Sequence, residues 1–312
     1  MTPAADAPVV AALSSSEAAL RVARAAAREA AGHGRALVLL HALNWSAVLR
    51  SPSVLGPRDE AENILERAAA VAAEVEPELP VSGEIVEGPP LAALVRRAES
   101  AFLVAVGDGG MSHCEGCVPT DAPAVQLAAQ AGCPVLVVRH EPAPQGPVLV
   151  GVDGSSSSWT ALEFAFDCAE RRSARLLVLR VTEPPRDGPP GGAGAAGETG
   201  AGGEAGPAGE TSAGGPAGGA GAGDDAHAAL AEAVARCGRR HPSVSAECHV
   251  VVGDPGTVLV DQSRSAQLAV VAARGDEPLR GMLGAVSQSL LYHSPAPVVV
   301  VRGLTVSAPV GA

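Results

Sequence analysis

Lysine is absent from this sequence of 312 residues, in which all 22 basic residues are arginine. A phosphate-binding loop of the G-x-x-x-x-G-K-[ST] type requires its lysine, so the sequence excludes that class of nucleotide site. Aromatic residues are also scarce, at 2% of the chain, although 47% of the residues are hydrophobic. The cores must therefore be built from small aliphatic side chains.

An excess of positive charge is missing too. The net charge is -12, and residues 1–146 carry 10 arginines against 17 acidic residues while the remainder carries 12 against 17. Because proteins that bind duplex nucleic acid concentrate basic residues on one face, nucleic acid is not predicted as a partner.

Long apolar runs and a dense set of cysteines are also lacking. No run approaches the roughly 20 apolar residues that cross a bilayer, and the opening "MTPAADAPVVAAL" has no basic segment of the kind that begins a signal peptide. Six cysteines are few for this length, which is typical of a reducing compartment. We therefore predict a cytoplasmic protein with no membrane partner.

The chain contains one pattern twice. An apolar run, a serine cluster, an amphipathic stretch and a second apolar run occur in each half, and later segments match as well: 8–43 with 147–181, 81–110 with 244–275, and 132–140 with 296–303. We therefore predict two domains, at 1–140 and 147–303, joined by the proline-rich linker "HEPAPQG" at 140–146.

Within each copy, apolar runs alternate with helical patterns, as in a parallel sheet buried on both faces. The pattern predicts an α/β fold with two doubly wound parallel five-stranded sheets. In the second copy it places strands at 148–152, 176–181, 246–252, 268–272 and 297–301, and helices near 157–171, 225–239, 256–265 and 284–294.

A glycine- and alanine-rich segment, residues 188–223, interrupts the second copy. It holds 16 of the 37 glycines and no apolar residue larger than alanine. Such a composition cannot bury enough surface to order itself, so we predict a disordered insertion.

Polar and glycine residues in the second copy follow strands whose carboxyl ends meet at one edge of the sheet, where doubly wound folds bind ligands. Asp153 ends the first predicted strand and suits a ribose hydroxyl or an amide. Val181 ends the second strand. After the fourth strand, Gly275 and Gly284 allow a close backbone approach to an anion near a helix N-terminus.

Three further side chains suit a phosphate at that helix start. Ser287 can donate its hydroxyl, and Arg274 and Arg280 can neutralise charge. The alternative interpretation of this loop is an ordinary strand-to-helix turn.

The loop "HCEGC" in the first copy brings together His113, Cys114 and Cys117. A C-x-x-C sequence can bind a metal or cycle between redox states. A complete zinc site needs a fourth ligand, which has no obvious source nearby, so two incidental thiols in an exposed loop are the alternative.

Together these segments resemble the universal stress protein family, in tandem, over nearly all of the chain outside 188–223. The second copy carries "VGVDGS" (150–155), "VVGDPG" (251–256), "AVVAARG" (269–275) and "LGAVSQSLLYHSPAPVVVVR" (283–302). The resemblance implies a Rossmann-like fold, related to adenine nucleotide alpha hydrolases, and an intramolecular pseudo-dimer in which the last strands of the copies pair. It leaves a further homodimer open.

In the nucleotide-binding branch of that family the corresponding pocket holds ATP, with or without Mg²⁺. The resemblance implies that Asp153 contacts the ribose or adenine side and that the backbone of Val181 frames the adenine. It implies that the pocket is lined by these positions of the second copy: Gly151, Val152, Asp153, Val181, Ala272, Arg274, Gly275, Gly284, Ala285, Val286 and Ser287.

The sequence departs from the family pattern at several positions. Ala272 replaces the first motif glycine, Ala285 replaces the hydroxyl residue, and eight residues instead of nine separate Gly275 from Gly284. In the first copy Leu13 is expected at the position of Asp153. Gly107 and Gly110 remain there, but Asp121 aligns with the later glycine, so we expect that copy to bind no nucleotide.

We therefore predict stress-linked ATP binding and signalling by the second copy, with the first copy as a structural partner and no enzymatic turnover. Two alternatives stay open. One is an interaction module that binds no nucleotide, and the other is a thiol or metal sensor that uses His113, Cys114 and Cys117.

Overall fold

The structure, a computed structural model, describes residues 6–14, 17–43, 56–109, 122–139, 145–182, 221–275 and 281–302. In this part of the chain, strands alternate with helices from end to end. The elements are β1 (Val9–Leu13), α1 (Ala18–Gly32), β2 (Leu37–Leu43), α2 (Pro57–Val75), β3 (Val81–Glu87), α3 (Pro90–Ala98), β4 (Leu103–Gly107), α4 (Pro123–Gln130), β5 (Val135–Val138), β6 (Val148–Gly151), α5 (Ser156–Arg171), β7 (Leu176–Thr182), α6 (Gly221–Arg240), β8 (Ala246–Val252), α7 (Pro255–Ser263), β9 (Leu268–Ala272), α8 (Ala285–His293) and β10 (Val298–Val301).

The ten strands form one sheet in the order β3-β2-β1-β4-β5-β10-β9-β6-β7-β8. Each half contributes five parallel strands in the doubly wound arrangement, so the predicted α/β class is confirmed. The prediction of two sheets needs one correction. The last strands β5 and β10 pair antiparallel, with Val299 opposite Leu136, and this pairing joins the halves into a single sheet.

Small aliphatic side chains fill both faces of that sheet. The central strands are buried along their whole length, as in "VLVV" of β5 and "VVVV" of β10. Successive residues point to opposite faces, so that Leu136 and Val299 belong to one hydrophobic layer while Val137 and Val300 belong to the other. Each layer contains residues of both halves, and the cores are therefore continuous across the β5–β10 junction.

Arginine side chains also hold the two halves together. Arg139, just after β5, donates to the carbonyls of Leu290 and Leu291 at 2.8 Å, at the end of α8 in the other half. Arg302, just after β10, donates to carbonyls at the end of α4 in the first half, including that of Ala131 at 3.1 Å. Each half thus supplies a cation to the C-terminus of the other's last helix, the end where cations are favourable.

The predicted insertion at 188–223 falls largely outside the described residues. Helix α6 begins at Gly221, within the last three residues of that segment. Among the described residues, no helix is both long and apolar enough to cross a bilayer.

Candidate functional site

The candidate site is a crevice at the carboxyl ends of the strands in the second half. Strand β6 lies between β7 and β9, so the chain leaves β6 toward one side while β9 lies on the other. Doubly wound sheets bind ligands at such a switch point. The loops that follow β6 and β9 form its two walls, and the hydroxyl of Ser157 joins them by donating to the carbonyl of Gly275 at 3.1 Å.

Asp153 lies on the first wall with its side chain exposed. One carboxylate oxygen accepts the backbone N–H of Ser155 at 2.9 Å, and the other faces Gly275, where an added methyl group would lie 3.5 Å away. Burial raises the pKa of this carboxyl, but hydrogen bonds from Ser155 and Ser158 outweigh it and hold the pKa below its ordinary value. Asp153 is therefore an acceptor at neutral pH, which suits a hydroxyl group and not a phosphate.

The second wall ends in the start of helix α8. Gly284 occupies the N-cap position without a side-chain cap, and its own N–H donates to the carbonyl of Ala273 at 2.8 Å. The next three backbone N–H groups, those of Ala285, Val286 and Ser287, precede the first turn's hydrogen bonds and carry the positive end of the helix dipole. These amides are the groups at this edge that suit an anion.

The hydroxyl of Ser287 has a different hydrogen-bond partner from the phosphate that the sequence suggested. The residue is 3% exposed, and its hydroxyl donates to the carbonyl of Ala272 at 2.6 Å. Because a hydroxyl has one hydrogen to donate, this bond ties α8 to the end of β9 and leaves none for a phosphate. Only the backbone of Ser287 remains a candidate contact.

Three predicted residues form the floor of the crevice. Val152 is buried and its N–H donates to the carbonyl of Leu179 at 2.9 Å, while Val181 pairs with Val251 of β8. Gly151 faces helix α7, where an added methyl group would lie 2.7 Å from Leu259 Cδ1. This glycine is needed so that α7 can pack against β6.

Two arginines supply positive charge. Arg274 reaches along its loop, with its guanidinium 3.6 Å from the sulfur of Met282. Arg180 of β7, which the sequence analysis missed, lies against Gly154, where an added methyl group would be 3.3 Å from its Nη1. Gly154 has φ +91°, a conformation that favours glycine, and the "DG" pair shortly after β6 was a sequence signal for this turn. Arg280 lies outside the described residues.

The corresponding edge of the first half differs in chemistry. Val9 and Val148 begin equivalent strands, each opposite the first residue of its neighbours. Counting from these residues aligns Leu13 with Val152, both buried, and places Ser14 at the position of Asp153. The expectation that Leu13 replaces the aspartate was therefore wrong by one residue. With Ser14 at this position, the first half still has no carboxylate where the second half has Asp153.

The structure describes one of the other residues predicted for the first half. Gly107 ends β4. Gly110, Asp121, His113, Cys114 and Cys117 lie outside the described residues.

A cavity of about 350 Å³ opens at the other end of the second half's strands, near Pro147, Leu176 and Glu247. These residues lie at or near the amino ends of β6, β7 and β8. Parallel sheets of this type bind ligands at the carboxyl ends, so we place the functional site at the crevice of Asp153.

We expect Gly151→Ala to lower the free energy of unfolding by about 1–3 kcal/mol, because its methyl group would overlap the buried Leu259 side chain. Gly275→Ala is the matched control. Its methyl group would meet no atom closer than 3.5 Å, so stability should change by less than about 0.5 kcal/mol. Denaturant unfolding followed by circular dichroism measures both, and equal stability of the two variants would contradict the predicted contact.

Comparison with known proteins agrees with the repeat and the fold. A universal stress protein of Mycolicibacterium smegmatis is 31% identical over 293 residues, covering 89% of this chain and 91% of that protein. One from Mycobacterium tuberculosis is 31% identical over 315 residues, covering 94% and 96%. The solved structure of a universal stress protein from Archaeoglobus fulgidus has a TM-score of 0.60 at 16% identity, over 95% of this chain and 96% of that one.

The universal stress protein family itself matches twice, over residues 7–139 and 146–302. Because these matches cover both halves of the sheet, the chain belongs to the universal stress protein family and carries two of its domains in tandem.

Proposed function

We propose that the second half binds an adenine nucleotide, ATP with Mg²⁺, in the crevice between the loops after β6 and β9. The observation that carries this proposal is the placement of an acceptor and an anion-binding helix start on one crevice. A methyl group added at Gly275 would lie 3.5 Å from an Asp153 carboxylate oxygen, and one added at Gly284, the N-cap of α8, would lie 3.9 Å from the Cα of Arg274.

The two walls match the two ends of a nucleotide. Asp153 would accept a ribose hydroxyl, and the backbone near Val181 would border the adenine. The amides of Ala285, Val286 and Ser287, with the guanidinium of Arg274, would hold the phosphates. Arg180 adds positive charge on the Asp153 side. Mg²⁺, when bound with ATP, would supply further neutralisation of the phosphates.

We propose binding without turnover, with the nucleotide acting as a signal of the cell's state under stress. Two serine hydroxyls at the crevice each donate to a backbone carbonyl, Ser157 to that of Gly275 and Ser287 to that of Ala272. A serine nucleophile needs a base as its partner instead. These two serines therefore support loop structure in preference to catalysis.

We propose that the first half is a structural partner of the second in a pseudo-dimer. Ser14 stands where the second half has Asp153, so the carboxylate that would accept a ribose hydroxyl is missing there. The paired strands β5 and β10 and the exchanged contacts of Arg139 and Arg302 support this role.

Isothermal titration of ATP and Mg²⁺ into the wild type and Asp153→Asn tests the nucleotide site. We expect micromolar binding by the wild type and at least about tenfold weaker binding by the variant, since a charge-assisted hydrogen bond is lost. Asp261→Asn is the matched control. That side chain is 65% exposed in an exposed pair with Arg264, so its loss should leave affinity unchanged.

Thermal unfolding provides an independent readout. Nucleotide at about 100 times its dissociation constant should stabilise the protein by about 2.7 kcal/mol. The absence of both heat and stabilisation at millimolar ATP would contradict the proposal and favour an interaction module. Equal affinity of the wild type and Asp153→Asn would place the nucleotide elsewhere.

A further inference from the structure

A second cluster of polar side chains lies far from the crevice, where the C-terminal ends of α1 and α5 meet across the two halves. Arg171 of α5 donates to the carbonyl of Gly32 at the end of α1. The helices are equivalent, because Gly34 and Ser173 just beyond them both have positive φ and precede β2 and β7 by the same distance. By this alignment Glu29 corresponds to Cys168 and His33 to Arg172.

His33 is the centre of this cluster. Its side chain is only 2% exposed, and the ring lies 4.6 Å from that of Phe102, centroid to centroid. Nδ1 lies 3.2 Å from a carboxylate oxygen of Asp167, whereas Nε2 is buried without a hydrogen-bond partner. A hydrogen on Nδ1 leaves a free lone pair on Nε2, the arrangement in which a carboxylate orients a metal-binding histidine.

Glu29 faces that lone pair. One of its carboxylate oxygens pairs with the guanidinium of Arg172, and the other lies 3.7 Å from His33 Nε2, too far for a hydrogen bond. The glutamate side chain is 7% exposed. Arg172 therefore fixes the carboxylate so that its second oxygen and the imidazole nitrogen point toward one space.

Cys168 completes the cluster from the other half. The residue is fully buried, and its Sγ, His33 Nε2 and a Glu29 oxygen all lie within 4.8 Å of one another. Thiolate, imidazole and carboxylate are the three ligand types that Zn²⁺ takes in proteins. We propose that Glu29, His33 and Cys168 bind a divalent transition-metal ion of the zinc class, which links the two halves of the chain.

The three ligand atoms have to move slightly closer together to coordinate an ion. Metal–ligand bonds of about 2.0–2.3 Å place the ligand atoms of a tetrahedral site about 3.3–3.8 Å apart. The Glu29–His33 pair at 3.7 Å already meets this spacing. The sulfur has to approach by at most about 1.5 Å, since the ligand atoms lie within 4.8 Å of one another and a bound ion needs them about 3.3–3.8 Å apart.

The charges of the side chains in the cluster are also compatible with a bound divalent ion. Arg172 pairs with Glu29 and Arg171 with Asp167, so the cluster is balanced before the metal arrives. Burial raises the pKa of the Cys168 thiol to about 12, so the free protein holds it as a neutral thiol. On binding, a metal–sulfur bond forms and the thiol proton is released to solvent, which adds a net single positive charge.

Cobalt titration tests the site, because Co²⁺ in place of Zn²⁺ shows a thiolate-to-metal charge-transfer band. The full chain carries Cys114→Ser and Cys117→Ser, which removes the separate C-x-x-C thiols, and is stripped with a chelator before titration. We expect a thiolate band that saturates at one ion per chain and that Zn²⁺ displaces.

Variants then assign the ligands. Cys168→Ala should abolish the band, and His33→Gln and Glu29→Gln should weaken cobalt binding by more than about tenfold. Cys133→Ala is the matched control, since this other buried thiol lies outside the cluster, and it should retain the band. Thermal unfolding in chelator checks that each variant is folded, and Glu29→Gln, which keeps the shape of the side chain, provides the test where Cys168→Ala fails to fold.

Two results would overturn the proposal. One is the absence of a cobalt–thiolate band in the Cys114→Ser/Cys117→Ser chain, which would leave His33 with a structural role beside Asp167. The other is a band of normal strength in Cys168→Ala, or a cobalt affinity of Glu29→Gln equal to that of the parent chain. The nucleotide titration is independent of both, so failure of either proposal leaves the other standing.

Discussion

We expect Arg139→Met to lower the free energy of unfolding by about 3–5 kcal/mol, the loss typical when one partner of a buried ionic contact is removed. The Arg139 side chain is 1% exposed and lies 3.9 Å from Asp108, whose side chain is 8% exposed. Methionine matches the aliphatic part of arginine but removes the buried cation from beside that carboxylate. The carbonyls of Leu290 and Leu291 lose a donor at the same time.

The charge on Arg139 persists under ordinary conditions. Burial lowers the pKa of its guanidinium to about 10, although Asp108 opposes that shift by raising the pKa. The group therefore stays protonated at neutral pH and caps α8 as a cation. Because the helix and the arginine belong to different halves, the variant should weaken the coupling between them as well as the total stability.

Arg302→Met is the matched control for Arg139→Met. Arg302 occupies the equivalent place after β10 and donates to the carbonyls of Ala128, Ala129 and Ala131, but it is only partly buried. We expect a smaller loss, about 1–2 kcal/mol. Urea unfolding followed by circular dichroism compares the two. A loss for Arg139→Met no greater than that for Arg302→Met would show that the buried contact with Asp108 contributes little.

Much of the fold follows from local patterns in the sequence. Continuous runs such as "VVVV" are typical of strands buried on both faces, and the repetition of whole segments indicates two equivalent halves. The predicted strands of the second half agree with the structure to within one residue at either end. These predictions succeed because the apolar residues that bury each strand lie within the strand itself, where the sequence shows them directly.

The contacts between the halves, unlike the strands, could not be predicted from local sequence patterns. Arg139 and Arg302 each follow a valine-rich strand, and nothing nearby in the sequence shows that carbonyls in the other half accept their hydrogens. Glu29 and Cys168 are likewise far apart in sequence and meet only because α1 and α5 end at the junction. Such clusters depend on tertiary arrangement, so a search for spaced ligand motifs misses them.

The crevice was predicted in part. The sequence placed Asp153 at the end of a strand and Gly284 at the start of a helix; in the structure Asp153 lies two residues after β6, and Gly284 is the N-cap of α8. It also suggested a donor role for the Ser287 hydroxyl, which instead bonds to Ala272. Serine near a helix start often bonds to backbone nearby, and sequence alone does not decide whether ligand or backbone receives the hydrogen.

We expect Phe166→Ala to cost about 3–5 kcal/mol in the free energy of unfolding, the second of the two largest effects. Phe166 is fully buried, and the whole chain contains only 3 phenylalanines. Its ring stacks near His241 at 5.8 Å between centroids. Ala165 and Ala169 share the buried face of α5. Because alanine has no side-chain torsion to turn into a cavity, the surroundings can fill little of the space left by the ring.

Two controls separate cavity formation from the loss of an aromatic ring. Phe166→Leu keeps much of the volume and should cost less than about 1.5 kcal/mol. Phe164→Ala removes a ring from a partly buried position on the same helix and should also cost less than Phe166→Ala. Denaturant unfolding ranks the three. Equal losses for Phe166→Leu and Phe166→Ala would mean that the ring itself, and not the volume it fills, stabilises this core. The expected ranking would mean that a core built mainly of alanine, valine and leucine depends on its rare aromatic side chains for close packing.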